Sequence, residues 1–321
     1  MEQTAGYGED PYCDQARKLI AGLCGRTDLD IHFLIGGTQT NFTVIAAALR
    51  PHQCVLCADT GHINVHESGA VEACGHKVSA IPSPDGKLTA RQIEEAWHAH
   101  WDDETREHMP QPRMVYISQP TELGTIYSRK ELQEISGVCR RRGLYLYMDG
   151  ARLGYGLCDE DNDLDLPAIA SLCDAFYIGG TKVGALFGEA LVLRHEALKE
   201  DFRYIAKQKG GRLAKGRLLG IQFLELFRDG LYFRLGAHAD RLAVMLRDFC
   251  RSRGLSLPFS SGTNQQFVTM PDSVLEELGR KYGFAYLRRE DETHSTVRFC
   301  MSWATREEDV RELMADIARL C

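Results

Sequence analysis

Basic charge is in short supply: 38 Lys and Arg stand against 45 Asp and Glu, a formal net charge of −7 over 321 residues. A nucleic-acid binder carries a basic footprint, and the chain as a whole has none. The one local exception, Arg140-Arg141-Arg142, reads as the solvated end of a helix, where cations complement the helix dipole. Also missing are a charged-then-apolar leader and any apolar run long enough to cross a bilayer. The expectation is a cytoplasmic protein that binds neither nucleic acid nor membrane. There is no internal repeat or low-complexity stretch. With 44% hydrophobic and 26% charged residues, the chain has an ordinary globular composition, which argues against a fibrous or disordered protein.

Metal signatures are lacking as well. The 11 cysteines include one Cys-x-x-Cys, Cys54 and Cys57, with no second pair at zinc-ribbon spacing. They read as reduced structural thiols. His62 and His66 stand four apart beside Glu67, but not in the His-Glu-x-x-His order of a zinc hydrolase. No metal is expected.

What the chain does have is length and alternation. A chain of this size buries about three quarters of its unfolded surface, so a large core needs no staples. Short apolar β-branched and aromatic runs, at 31–35, 54–58, 77–81, 114–118, 144–148, 175–178 and 190–193, alternate with helical patterns at 12–23, 38–49, 90–100 and 130–141. That is the mark of βαβ units around a parallel sheet. Helical periodicity then runs through 215–228 and 231–250, followed by strands at 266–270 and 296–301 and a helix over 306–320. The change of pattern predicts a large domain over 1–225 and a small C-terminal α+β domain over 226–321.

Four short segments fall where strands end, which is where open α/β sheets bind ligands. Gly36-Gly37-Thr38-Gln39-Thr40-Asn41 opens a helix whose free N–H groups suit an anion, or it is a plain glycine turn with a cap. It is neither a Walker loop nor a dinucleotide fingerprint. Asp149 and Arg152 follow the 144–148 strand; they are a structural ion pair unless something cationic meets the acid. Lys182 closes Gly179-Gly180-Thr181-Lys182. It is a solvated loop lysine or an imine-forming amine, whose neutral form attacks carbonyls. His62 is a satisfied core histidine or a ring that stacks on a planar cofactor. Taken together, a phosphate cradle, an amine and an acid for a pyridine nitrogen are the requirements of pyridoxal 5'-phosphate.

In these segments the chain resembles the threonine aldolase branch of fold-type I pyridoxal phosphate enzymes, the β-eliminating lyase family. The likeness rests on residues 36–41, His62 with Glu67-Ser68-Gly69-Ala70, Asp149-Gly150-Ala151-Arg152-Leu153, 179–182, and Val297-Arg298 through Thr305. It implies the α/β fold-type I transferase-like architecture, with a large mostly parallel sheet sandwiched by helices and a smaller C-terminal domain. By the resemblance, Lys182 carries the cofactor, Asp149 meets its ring nitrogen and His62 stacks on the ring. Gly37 and Thr38 hold the phosphate, with Lys215 reaching from a neighbouring subunit. Arg152 serves both the cofactor and the substrate carboxylate, and Arg298 the carboxylate alone. Homotetramers, or homodimers, with shared active sites are implied.

Two departures stand out. Better-known members carry a histidine after the 114–118 strand, where this chain has Glu122, so Glu122 becomes the group beside the substrate side chain. Family chains also usually begin earlier, with a serine-bearing segment that this sequence enters after. The implied reaction is cleavage of threonine or allothreonine to glycine and an aldehyde. The alternatives are β-elimination from cysteine, tyrosine or tryptophan, or a non-catalytic protein that keeps the fold.

Overall fold

The computed structural model describes residues 2–321. The larger sheet contains β1 (Asp30–Leu34), β2 (Gln53–Ala58), β3 (Lys77–Ile81), β4 (Gln111–Ser118), β5 (Tyr145–Asp149), β6 (Ala175–Gly179) and β7 (Glu189–Leu193). Its order is β1-β7-β6-β5-β4-β2-β3. β7 is antiparallel to both neighbours and every other pairing is parallel. The start of β7 therefore lies at the same edge as the ends of the other strands.

β2, β6 and β7 are buried at every position. A sheet covered on both faces has no use for polar alternation, which is why these strands read as continuous apolar runs. Successive residues still face opposite layers: Phe176 and Ile178 join one apolar cluster, Ala175 and Tyr177 the other. The first cluster runs on into Val268, Phe299 and Ile317 of the C-terminal part. That part holds β8 (Gln265–Pro271), β9 (Ala285–Arg289) and β10 (His294–Cys300) in the antiparallel order β8-β10-β9. A 22-residue helix, Leu231–Ser252, leads into it.

Local chemistry sets the helix limits. Thr89 and Ser128 each form a capping box, with Gln92 and Glu131 respectively; caps of this kind contribute about 1 kcal/mol each. The helix Arg129–Arg142 ends at Gly143 in the left-handed conformation. Arg142 is not simply solvated: it pairs with Glu94 and lies 4.1 Å from the Trp97 ring centroid.

The expected strands of the large sheet are present within a residue, except that β4 begins three residues earlier, at Gln111. The helix expected from 215 begins at Arg217, which leaves Lys215 in the preceding turn. Several one- and two-turn helices are additional, among them His62–Val65, Leu153–Cys158, Leu166–Leu172 and Asp272–Gly279. Helices this short carry too few residues for a periodic signal and are held by tertiary packing. The sequence pattern does not predict β9, because all five of its positions are exposed. Among the described residues, no helix is long and apolar enough to cross a membrane. Cys54 and Cys57 are buried and unpaired, and burial pushes their thiols up to about 11 and about 12.

Candidate active site

Asp149 ends β5, and the residue after it must let another loop pass. A Cβ on Gly150 would lie 1.8 Å from the Tyr177 carbonyl oxygen, and one on Gly179 would lie 2.4 Å from the Ala151 oxygen. The Gly179 N–H donates to the Gly150 oxygen at 2.9 Å. These two glycines are the sequence reason that the Asp149 loop and the Lys182 turn can touch backbone to backbone.

Three adjacent strands aim a phenol into the same layer. The Tyr116 hydroxyl donates to Asp149 Oδ2 at 2.6 Å, and that of Tyr177 to Oδ1 at 2.5 Å. The Ala151 N–H donates to Oδ1 at 2.9 Å, and Asn41 Nδ2 to Oδ2 at 3.0 Å. Burial alone would push this carboxyl up. The donors from Tyr116, Tyr177, Ala151 and Asn41 outweigh it and hold Asp149 below the usual carboxylate range. The site therefore keeps a negative charge in a dry place.

Asn41 carries the network outward. It accepts from the Tyr147 hydroxyl at 2.8 Å and donates to Glu67 Oε1 at 2.7 Å. The same Glu67 oxygen lies 2.8 Å from His62 Nδ1, so Nδ1 carries the proton in that bond. Burial opposes charge on His62. The Glu67 bond and the charges of Asp149 and Glu67 prevail, and the imidazole is raised above its ordinary pKa.

Glu122 sits beside His62. Its Oε1 accepts the backbone N–H of His62 at 3.1 Å and the Ser118 hydroxyl at 2.8 Å. Burial and the charge of Asp149 raise it above the usual carboxylate range. Lys182 is lowered from the ordinary lysine value, first by burial and then by the Arg152 guanidinium. Its ammonium makes no hydrogen bond or ion pair among the described residues.

Gly37 opens the helix Gly37–Ala48 directly after β1. A Cβ on Gly37 would lie 3.0 Å from the Tyr177 hydroxyl, a tight contact that glycine avoids. Thr38 is the next residue, at a helix N-terminus that favours an anion. Arg298, on β10, donates Nη1 to Gln265 at 3.2 Å, and its Nε is buried with no partner. Arg152 heads the helix Leu153–Cys158. Lys215 is exposed in the chain, and the structure does not bring it into contact with the others.

The structure thus gathers Asp149, His62 and Glu122 into one connected group, and the Lys182 turn adjoins it. Sequence reading singled out neither the phenols Tyr116, Tyr147 and Tyr177 nor the role of Asn41. The available signal was a tyrosine inside each of three apolar strands, since a buried hydroxyl must find a partner. These residues fit pyridoxal phosphate: an anion-favouring helix N-terminus, an unpaired amine less basic than an ordinary lysine, and a carboxylate held ionised.

A doubly covered sheet of this order, with amine, acid and anion cradle at its strand ends, defines a fold-type I pyridoxal phosphate enzyme. The model of the family described as β-eliminating lyase matches residues 1–273. The chain belongs to that family. A solved structure of Leishmania major threonine aldolase superposes with a TM-score of 0.97 and is 44% identical, covering 100% of this chain and 92% of that one. The low specificity L-threonine aldolase of Pseudomonas sp. is 34% identical, over 97% of this chain and 88% of its own length. That of Pseudomonas aeruginosa is 33% identical, with the same coverage, 97% and 88%.

Proposed function

We propose that this chain cleaves threonine or allothreonine to glycine and acetaldehyde by breaking the Cα–Cβ bond. When bound, pyridoxal phosphate supplies an electron sink for the pair left on the α-carbon. Lys182 is the amine that holds the cofactor, and its lowered pKa keeps more of it in the reactive neutral form. Asp149 stays ionised and so favours a proton on the ring nitrogen. Gly37 and Thr38 offer the phosphate N–H groups and a hydroxyl, with Lys215 contributing from a neighbouring subunit. His62 covers the ring, its orientation set by Glu67. Arg152 and the unpartnered Nε of Arg298 take the substrate carboxylate.

Glu122 is the group for the β-hydroxyl proton. A general base works best with a pKa near the working pH, and the rise above the ordinary carboxylate value is in that direction. The observation that carries the reading is the placement of a half-buried glutamate against the backbone of His62. The same rise supports a second reading, since a protonated Glu122 would assist a departing group in β-elimination from a cysteine, tyrosine or tryptophan type of substrate.

The reading extends to a large domain over 1–225, a small one over 226–321, and a cytoplasmic homotetramer or homodimer. Support for association comes from apolar side chains left in the open: Leu186, four residues past Lys182, is 87% exposed, and Tyr204 is 77% exposed. Incubation with threonine, cysteine, tyrosine and tryptophan tests the chemistry. Glycine and acetaldehyde from threonine are expected. Pyruvate and ammonia from cysteine without glycine from threonine would replace the aldolase reading with elimination.

A further inference from the structure

Glu189 begins β7 and stands opposite Gly179 in the register with β6. It is 3% exposed. Its Oε2 accepts the Gly180 N–H at 3.0 Å and its Oε1 the Thr181 hydroxyl at 2.9 Å. Thr181 Oγ1 accepts the Gly188 N–H at 2.9 Å, and the Gly180 and Thr181 N–H groups reach the Gly188 oxygen at 3.0 and 3.1 Å. The two residues before Lys182 are therefore each hydrogen-bonded to both Gly188 and Glu189.

A neutral side chain could make such a clamp without the cost of burying a charge. The choice of a carboxylate calls for a second reason, and the surroundings provide it. The titratable groups facing Glu189 are Lys182, Asp149 and the phenols of Tyr147, Tyr177 and Tyr232. Lys182 is the one cation among them. Burial, with the charge of Asp149 in the same direction, pushes Glu189 up to about 8 against the Thr181 and Gly180 donors.

We propose that Glu189 is a positioning residue for Lys182: it clamps the turn that carries the lysine, and its charge holds a proton on the Lys182 amine through space. No ion pair joins the two among the described residues, so the influence travels through the turn and the field. With Glu189 ionised, the ammonium is favoured; with Glu189 neutral, the amine is freed to attack a carbonyl. The inference rests on Lys182 being the cofactor-binding amine.

The test is the rate at which cofactor-free protein captures added pyridoxal phosphate, followed by the growth of yellow absorbance across pH 6 to 10. Glu189→Gln keeps an acceptor for the Gly180 N–H and removes the charge. The pH midpoint of capture should fall by about half a unit to one unit, the size of losing one nearby charge, and capture should quicken above about pH 8, where the parent's Glu189 is ionised. Glu189→Asp should restore a midpoint close to the parent's, and it carries the test if the glutamine variant does not fold. Thr181→Val loosens the clamp and keeps the charge, so it should slow capture without moving the midpoint. An unchanged midpoint in Glu189→Gln, with only a lower melting temperature, would overturn the proposal. Lys182→Ala separates the two readings: if it still turns yellow, the assignment of Lys182 fails, whatever Glu189 does.

Discussion

Replacing Asp149 by Asn changes one atom in a densely hydrogen-bonded site. Both carboxylate oxygens accept two donors each: Tyr177 and Ala151 on Oδ1, Tyr116 and Asn41 on Oδ2. An amide can keep its oxygen toward one pair, and its NH2 then faces the donors of the other. The Tyr116 hydroxyl can turn to accept, but Asn41 Nδ2 cannot. One hydrogen bond to a charged acceptor is lost and another is weakened, at about 1.5–3 kcal/mol for a full loss. Relief from burying a charge returns part of this, so the net destabilisation should be about 1–3 kcal/mol, read by urea denaturation of the cofactor-free protein. Turnover should suffer more. Losing the ionised partner of the ring nitrogen removes several kcal/mol of electrostatic stabilisation. At about 1.4 kcal/mol per factor of ten, kcat should fall by roughly two to four orders of magnitude. The pH dependence adds a check. Because the folded carboxyl titrates below its unfolded value, the stability it contributes is fully present above about pH 4 and is lost as pH falls through the lower folded pKa. The gap between parent and variant should be flat from pH 5 to 8. A gap that closes between pH 6 and 7, or turnover within a few-fold of the parent, would refute the claim that this carboxyl is held ionised for catalysis.

Three other substitutions probe separate links. Gly150→Ala should fail to fold or lose more than about 3 kcal/mol, because its Cβ would meet backbone, the Tyr177 oxygen at 1.8 Å; a normal urea midpoint would show that the two loops can part. Arg298→Lys should raise KM for the amino acid many-fold while cofactor affinity holds, since an ammonium cannot grip a carboxylate bidentately; equal loss of both, by titration, would make Arg298 structural. Glu122→Gln should lower kcat on threonine by roughly one to three orders of magnitude, the range for one general base. Because Glu122 is raised, the parent's kcat should climb with pH above the ordinary carboxylate range, and that limb should be absent from the variant; a retained limb would move the role to His62.

Much of the site could be read along the chain because its parts are local: Asp149, Lys182 and Gly37 each lie at or just past a strand end, in or beside a glycine-bearing turn. The supports could not, because they meet only through the sheet. Tyr116 and Tyr147 are paired by the register of β4 with β5, and Asn41 comes from a helix far away in sequence. Glu189 gives no signal in the sequence, where it lies just ahead of the apolar run at 190–193. It matters because β7 runs antiparallel, which puts its start beside the end of β6.

By itself the sequence determined the alternation of strands and helices, the glycines at each strand end and the order of the chemical groups, since hydrophobic period and turn chemistry act over a few residues. The tertiary structure alone decided which donors surround Asp149, that Glu67 orients His62, that Glu122 lies against His62, and that a buried carboxylate backs the Lys182 turn. Those are outcomes of burial and electrostatics, and both depend on what the rest of the chain brings within a few ångströms.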